Sequence, residues 1–339
     1  MIKVSVIVPI YNAINVLDKT IQSILNQSYR NIEILLIDNN STDNSFEYIK
    51  SLQQKDDRII ALLEKKQGPN NARKTGLLNS TGDYIMFCDA DDYLREDAIN
   101  NFINEINRSN ADIVIGNYIE ITPEREIIKR KKGVFFKENN CNLKEQKEIL
   151  FIKPALWNKI FRKDLIKEDF FIKSTIGEDM VITLESLMLS SNIKYIDEDI
   201  YEYVISEDGL SNSVSAKSIL DILITVEGLK EISKKYSVYE EYNDEIEYIS
   251  FTHVIYKILR TVVMESDKER KEVYLILKKY LGEKNIYKKN KYYKSKIHYR
   301  LANFLLTTEW IYNLKITRIL LKQIFTNKKL FTIFKKLDV

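Results

Sequence analysis

Apolar positions in the first two hundred residues follow two alternating periods. Short runs with β-branched or continuously apolar character occur at 3–10 (KVSVIVPI, breaking at Pro9), 32–38 (IEILLID), 58–63 and 83–88 (DYIMFC). Such runs, bounded by turn formers, predict buried strands. Between them the spacing changes to three and four residues: Leu17, Ile21, Ile24 and Leu25; Phe46, Ile49 and Leu52; a helix over about 70–79; then Ile99, Phe102, Ile103 and Ile106. Strands alternating with helices at this spacing predict an α/β fold, a doubly wound, mostly parallel sheet with helices on both faces. Residues 112–136 (DIVIGNYIEI, a charged turn, GVFF) predict strands at the sheet's edge, 143–151 a helix and 193–204 (IKYIDEDIYEYV) a further strand. The stretch 154–166 (PALWNKIFRKDLI) mixes aromatic and charged residues without a clear period. Beyond 215 the pattern is helical throughout, over 217–235, 239–265, 268–281 and 293–337, so the chain is expected to divide into residues 1–212 and 213–339.

Three successive strand ends deliver polar residues to one edge: Tyr11 and Asn12, then Asp38, then Asp89 and Asp91. In open α/β sheets the carboxyl edge is where ligands bind. Asp89, Asp91 and Asp92 crowd together there, and such carboxylates repel one another unless a cation shares them. A hard divalent cation with phosphate oxygens suits the donor set. The plainer role for one of the three is to cap the following helix. Glu178 and Asp179 open another helical stretch (Val181, Leu184, Leu187, Met188). Acids there are favoured by the helix dipole, and an ionised carboxylate there also suits a general base. Neither Gly-x-Gly-x-x-Gly after the first strand nor Gly-Lys-Ser/Thr occurs, so a nucleotide bound here is held by side chains and a metal.

Composition narrows the classes. Two cysteines, Cys88 in the fourth strand and Cys141 in a polar loop, point to a reducing compartment and no structural zinc. His253 and His298 stand alone in helical regions, which leaves no material for a histidine-based site. No basic and then apolar leader is read at the N-terminus, and no uncharged run approaches the ~20 residues of a membrane span. A cytoplasmic location is therefore expected. The net charge of +3 hides an asymmetry, because residues 281–339 carry 14 Lys and Arg against 3 acids. That tail, with Ile297, Leu301, Phe304, Trp310 and Phe331 among its cations, fits a peripheral contact with a membrane surface. Its apolar face fits equally well packing on the protein or in a homodimer.

With these residues assembled, the chain resembles an inverting family 2 glycosyltransferase of the GT-A fold, of the kind that builds bacterial capsule, exopolysaccharide or O-antigen repeats. The resemblance covers residues 3 to about 210. VSVIVPIYN is similar to the family's first strand, which implies that Pro9, Tyr11 and Asn12 line the nucleobase pocket. LIDNNSTDNS resembles the Asp-Asp-Gly-Ser-Thr-Asp-x-Ser signature, with Asp38 on uracil and Asn40, in the turn, also on the nucleotide. GPNNARKTGL resembles the segment that places Arg73 beside the nucleotide. CDADD corresponds to Asp-x-Asp, implying Asp89 and Ala90 on the ribose-diphosphate side and Asp91, with Asp89, on Mn²⁺ or Mg²⁺. GEDMVI resembles the Glu-Asp motif, which implies Glu178 and Asp179 as catalytic residues with Asp179 the base. WNKIF resembles the acceptor-side segment and implies Trp157, Asn158 and Lys159 there.

The chain departs from the family pattern at Asn39 and Asn40, which replace Asp and Gly, and at Lys74, which replaces Asn. Asn tolerates a positive φ, so the turn is expected to survive. The Gln-x-x-Arg-Trp motif of processive members is absent, which favours single addition. The implied reaction moves a hexose or N-acetylhexosamine from a UDP-sugar to a hydroxyl of a saccharide, expected to be lipid-linked. The alternatives are a non-catalytic nucleotide-sugar binder or scaffold of the same fold, and a sugar nucleotidyltransferase. The latter wants a Gly-rich signature loop that YNAINVLDKT does not supply. Nucleic-acid binding by the tail is the remaining rival, and a lipid-linked acceptor explains the tail more economically.

Overall fold

The computed structural model describes residues 1–134, 140–174, 176–205, 216–260, 267–284 and 290–292. Contacts divide the chain into two compact units, Met1–Gly209 and Leu210–Val339. In the first, the strands are β1 (Val4–Ile10), β2 (Ile32–Asp38), β3 (Ile59–Leu63), β4 (Tyr84–Phe87), β5 (Tyr93–Leu94), β6 (Ile113–Ile121), β7 (Ile127–Lys131), β8 (Asn140–Cys141), β9 (Lys159–Arg162) and β10 (Ile193–Val204). The helices are α1 (Leu17–Leu25), α2 (Ser45–Gln53), α3 (Pro69–Asn79), α4 (Ala98–Ser109) and α5 (Glu178–Leu189).

Among the described residues the strands form one mixed sheet in the order β3-β2-β1-β4-β9-β6-β10-β5, with β7 on β6 and β8 on β10. β1, β2, β3 and β4 are mutually parallel, as are β6 and β10. Alternate residues face opposite layers. Val4, Val6, Val8 and Ile10, with Ile34 and Leu36, pack in one cluster with Leu17 and Ile21 of α1, Ile49 of α2 and Phe102 of α4. On the opposite face α3 lies on β1 and β2. Gly76 permits that approach, since a Cβ there would meet Ile7 Cγ2 at 2.5 Å and Ile37 Cδ1 at 3.0 Å.

Three expectations are corrected. β6 is an interior strand between β9 and β10, and only its partner β7 lies at an edge. β6 is buried at eight of its nine positions, which covered strands require. Cys141 is 2% exposed and free, like Cys88, and so lies in the core rather than in a polar loop. β9, within the stretch that showed no period, runs antiparallel between β4 and β6. Its antiparallel course brings the segment that precedes it to the edge where β4 ends. Residues 147–151 form a 3-10 turn where a helix was expected.

The second unit comprises α6 (Ala216–Lys235), α7 (Tyr239–Arg260) and α8 (Asp267–Lys284), with α6 packed on α7 and α8. A buried Lys230 binds Glu247 at 2.7 Å, and the Tyr239 hydroxyl donates to the same carboxylate. The helix expected over 293–337 and its basic face lie outside the described residues, as do Phe135, Phe136 and His298. No described helix is long and apolar enough to cross a membrane.

Candidate active site

Parallel register sets the ends of β1 and β2 side by side, Ile10 opposite Asp38. β4 extends the same edge, where the Cys88 N–H donates to Ile7 O. The loops leaving these strands are cross-tied. Asn12, at φ 49°, accepts the Thr42 N–H through Oδ1 and donates its own N–H to Ser41 Oγ. Asn39 is buried; it donates to the carbonyls of Glu64 and Lys66 and accepts the Gly68 N–H at 2.7 Å. Asn40 adopts φ 62°, as the turn requires. Asp38 accepts the Ser41 N–H through Oδ1, whereas its buried Oδ2 has no partner. Tyr11, more than half exposed, stands over this edge with its hydroxyl 3.5 Å from Gln67 Nε2. Pro9 remains within β1.

Arg73 draws together residues far apart in sequence. Its Nη1 donates to Glu178 Oε1 at 2.9 Å and lies 3.9 Å from Asp179 Oδ1, and its Nη2 donates to Asp89 Oδ1 at 3.2 Å. Arg73 and Glu178 are buried, while Asp89 and Asp179 keep side-chain exposures of 32% and 29%. Burial alone would lower the guanidinium pKa, but Asp179, Asp89 and Glu178 together raise it, so the cation is permanent. Burial, then the neighbouring Asp179 charge, push Glu178 up to about 8 against the pull of Arg73. Burial likewise raises Asp89, with Arg73 opposing and Asp179 adding to the rise. The cation expected to relieve the crowded carboxylates is thus in part a guanidinium of the chain itself.

Three residues on one face of α3 hold the segment leading to α5. Asn70 donates to Ile172 O, Arg73 binds Glu178, and Lys74 pairs with Glu168 at 3.3 Å. The backbone then turns at Gly177, which occupies the left-handed region at φ 68°, and α5 opens with Glu178 and Asp179.

The Asp-rich loop separates its three carboxylates. Asp92 is buried, accepts the Val204 N–H at 2.7 Å and the Tyr201 hydroxyl at 2.9 Å, and so ties the loop to β10. Tyr201 also accepts the Asp89 N–H. Ala90 is fixed through its carbonyl by the Thr20 hydroxyl. Asp91 points out and is exposed. No group of three or more His, Cys, Asp or Glu among the described residues forms a metal cage. One exposed carboxylate beside a second suits instead a Mg²⁺ or Mn²⁺ ion that completes its shell with substrate phosphates and water.

Trp157, Asn158 and Lys159 lie at the same edge and are buried. Trp157 stacks on Tyr201 at 4.5 Å and on Tyr203 at 5.4 Å, and meets Tyr118 edge-on at 4.8 Å. Asn158 donates to Gly116 O. Lys159 Nζ donates to Lys153 O, Ala155 O and Asn158 Oδ1 at 3.0, 2.6 and 2.7 Å. Burial, and then the charge of Lys153, pull its pKa down to about 7, while three acceptors match the three protons of the ammonium. Sequence reasoning did not single out Lys153 or Tyr201, and it read Asn39 only as a departure from the family pattern, not as the residue that ties the loops after β2 and β3. The Asx-turn composition of NNSTDNS hinted at Asn39; no period marked the other two.

Comparison with known proteins bears on this geometry. Residues 5–171 match the family model described as "Glycosyl transferase family 2". The chain is 30% identical over 221 residues to glycosyltransferase GlyG of Streptococcus pneumoniae serotype 4, covering 59% of this chain and 70% of that protein. It is 32% identical over 220 residues to glycosyltransferase GlyA of the same organism, covering 62% of this chain and only 31% of the relative. Among solved structures, S. aureus TarS 1-349 in complex with UDP-GlcNAc superposes with a TM-score of 0.56 at 17% identity, covering 90% of this chain and 89% of that one. That likeness concerns the fold.

Proposed function

The chain belongs to glycosyl transferase family 2, and from that premise we propose that it transfers a hexose or N-acetylhexosamine from a UDP-sugar to a saccharide hydroxyl with inversion. The observation that carries this reading is the Arg73 hub, which sets Asp89, Glu178 and Asp179 around one buried cation at the carboxyl edge of the sheet. Two further features support it. The unpartnered Asp38 Oδ2 is an acceptor suited to a base N–H, and a structural neighbour was solved with UDP-GlcNAc.

In this mechanism the loops after β1, β2 and β3 take the nucleoside, with Tyr11 against the base. Asp91, with Asp89, would hold Mg²⁺ or Mn²⁺. When bound, such an ion supplies positive charge to the departing diphosphate. Asp179 takes the proton of the acceptor hydroxyl as its oxygen attacks the anomeric carbon, so an α-linked donor gives a β-linked product. Glu178 is spent on Arg73, and Asp179, 3.9 Å from that cation and partly exposed, is the carboxylate free to accept a proton. Arg73, 3.9 Å away, would hold the Asp179 carboxylate in position beside the acceptor. The acceptor enters over the Trp157–Lys159 side. The acceptor's lipid link and a peripheral membrane contact through the basic tail belong to the same proposal; equal retention of wild type by anionic and neutral vesicles would count against that contact.

The test is nucleotide release from UDP-, GDP- and dTDP-sugars, first with Mn²⁺ and then with EDTA. Metal-dependent release from one UDP-sugar is expected. Faster release from a GDP- or dTDP-sugar, or release indifferent to EDTA, contradicts the reading.

A further inference from the structure

Lys153 stands out among the charged residues near Asp179. It is exposed as a residue, yet its ammonium lies 4.6 Å from the ring centroids of Trp157 and Tyr203 and 4.7 Å from that of Tyr118. Three rings hold the cation by their π faces. No carboxylate of the described residues comes within ion-pairing distance of it. An exposed lysine ordinarily samples many rotamers, and ordering one costs entropy. Here the aromatic seat has already restricted it.

Its backbone is fixed as well. The buried Lys159 ammonium donates to Lys153 O, and Thr183 Oγ1 donates to the next carbonyl, that of Pro154. Thr183 lies four residues after Asp179 on α5 and so shares its helix face. One hydrogen bond therefore locks the Lys153 loop to the helix that bears the base. Burial lowers the Lys153 pKa to about 8, against the charges of Glu120, then Asp92 and Asp179. The cation stands beside β6, β9 and β10, on the half of the sheet away from the nucleotide loops after β1, β2 and β3.

We propose that Lys153 is an acceptor-specificity residue: its ring-seated ammonium receives an anionic group, phosphate or carboxylate, carried by the acceptor saccharide next to the hydroxyl that Asp179 deprotonates. The proposal rests on the transferase reading above. It adds a chemical class of acceptor, an acidic saccharide, and names the residue that reads it.

The test uses the full chain and measures binding, not turnover. UDP is titrated first. With UDP saturating, three probes follow: methyl β-D-glucoside, its 6-phosphate, and methyl β-D-glucuronide. Wild type is expected to bind at least one anionic probe about tenfold more tightly than the neutral one, the worth of one charge-assisted hydrogen bond. The preferred probe tells phosphate from carboxylate. Lys153→Gln should level the three affinities with UDP binding retained, and Lys153→Arg should restore the preference. Equal binding of neutral and anionic probes by wild type, no binding of either anionic probe, or a preference surviving in Lys153→Gln overturns the assignment. Loss of UDP binding in Lys153→Gln also overturns it and moves the residue to the donor diphosphate. Absence of UDP binding by wild type overturns the transferase reading itself, and this proposal with it.

Discussion

At the scale of single residues, the site is organised by a buried cation with more acids around it than it can neutralise. Arg73 makes two hydrogen-bonded ion pairs and lies near a third acid, with its Nε left unpartnered. Removing one partner of a buried pair leaves an uncompensated charge, which typically costs about 3–5 kcal/mol. Arg73→Met is therefore expected to lower the stability of the first unit by that order, measured as a shift of the urea midpoint. A shift below about 1 kcal/mol would mean that the pairs are solvent-screened and the hub is not structural. Glu33 behaves differently. Burial raises its pKa, but hydrogen bonds from Lys3, Ser5 and Thr81 outweigh burial and bring it from 4.5 down to about 2. A carboxyl with a depressed folded pKa contributes stability that is complete above the unfolded value and lost as pH falls. Wild type should lose stability relative to Glu33→Gln between pH 4.5 and about 2, and parallel curves for the two proteins over that window would refute the linkage.

At the scale of elements, α3 and α5 decide whether the site exists. α3 presses a glycine against Ile7 and Ile37, and its exposed end holds the segment before α5. Gly76→Ala forces a methyl into a 2.5 Å contact. It should destabilise the protein by about 1–3 kcal/mol through overpacking, read from thermal unfolding; an unchanged Tm would show that Ile7 simply turns away. The helices and parallel strands that build this face were legible because their apolar residues keep a strict period. β9 was not, because four residues with Lys159 and Arg162 at the ends do not display a period. Its lysine is buried by three carbonyl acceptors that lie in its own loop, a solution no pattern of hydrophobicity announces. β6 was read as an edge for the same reason, since its interior place depends on β9.

At the scale of the molecule, the chain brings four sequence motifs to one edge and hangs them on two helices and one arginine. The positions of Asp38, Arg73, Asp89 and Asp179 were legible as motifs; parallel strand order sets the ends of β1, β2 and β4 side by side, and Arg73 on α3 ties Asp89 to the start of α5. What the motifs did not contain was the division of labour among the acids. Asp92 ties the loop to β10, Glu178 serves Arg73, and Asp91 faces outward. Those roles follow from burial and partners, which only the folded chain assigns. The central claim is that Asp179 is the base of an inverting transfer. The most direct measurement is single-turnover release of UDP from the preferred UDP-sugar by wild type and Asp179→Asn, together with the affinity of each for that donor. Loss of a general base predicts a rate lower by roughly 10²–10⁴-fold with donor affinity unchanged. A rate within about threefold of wild type, at equal donor affinity, would contradict the account and move the base to another group.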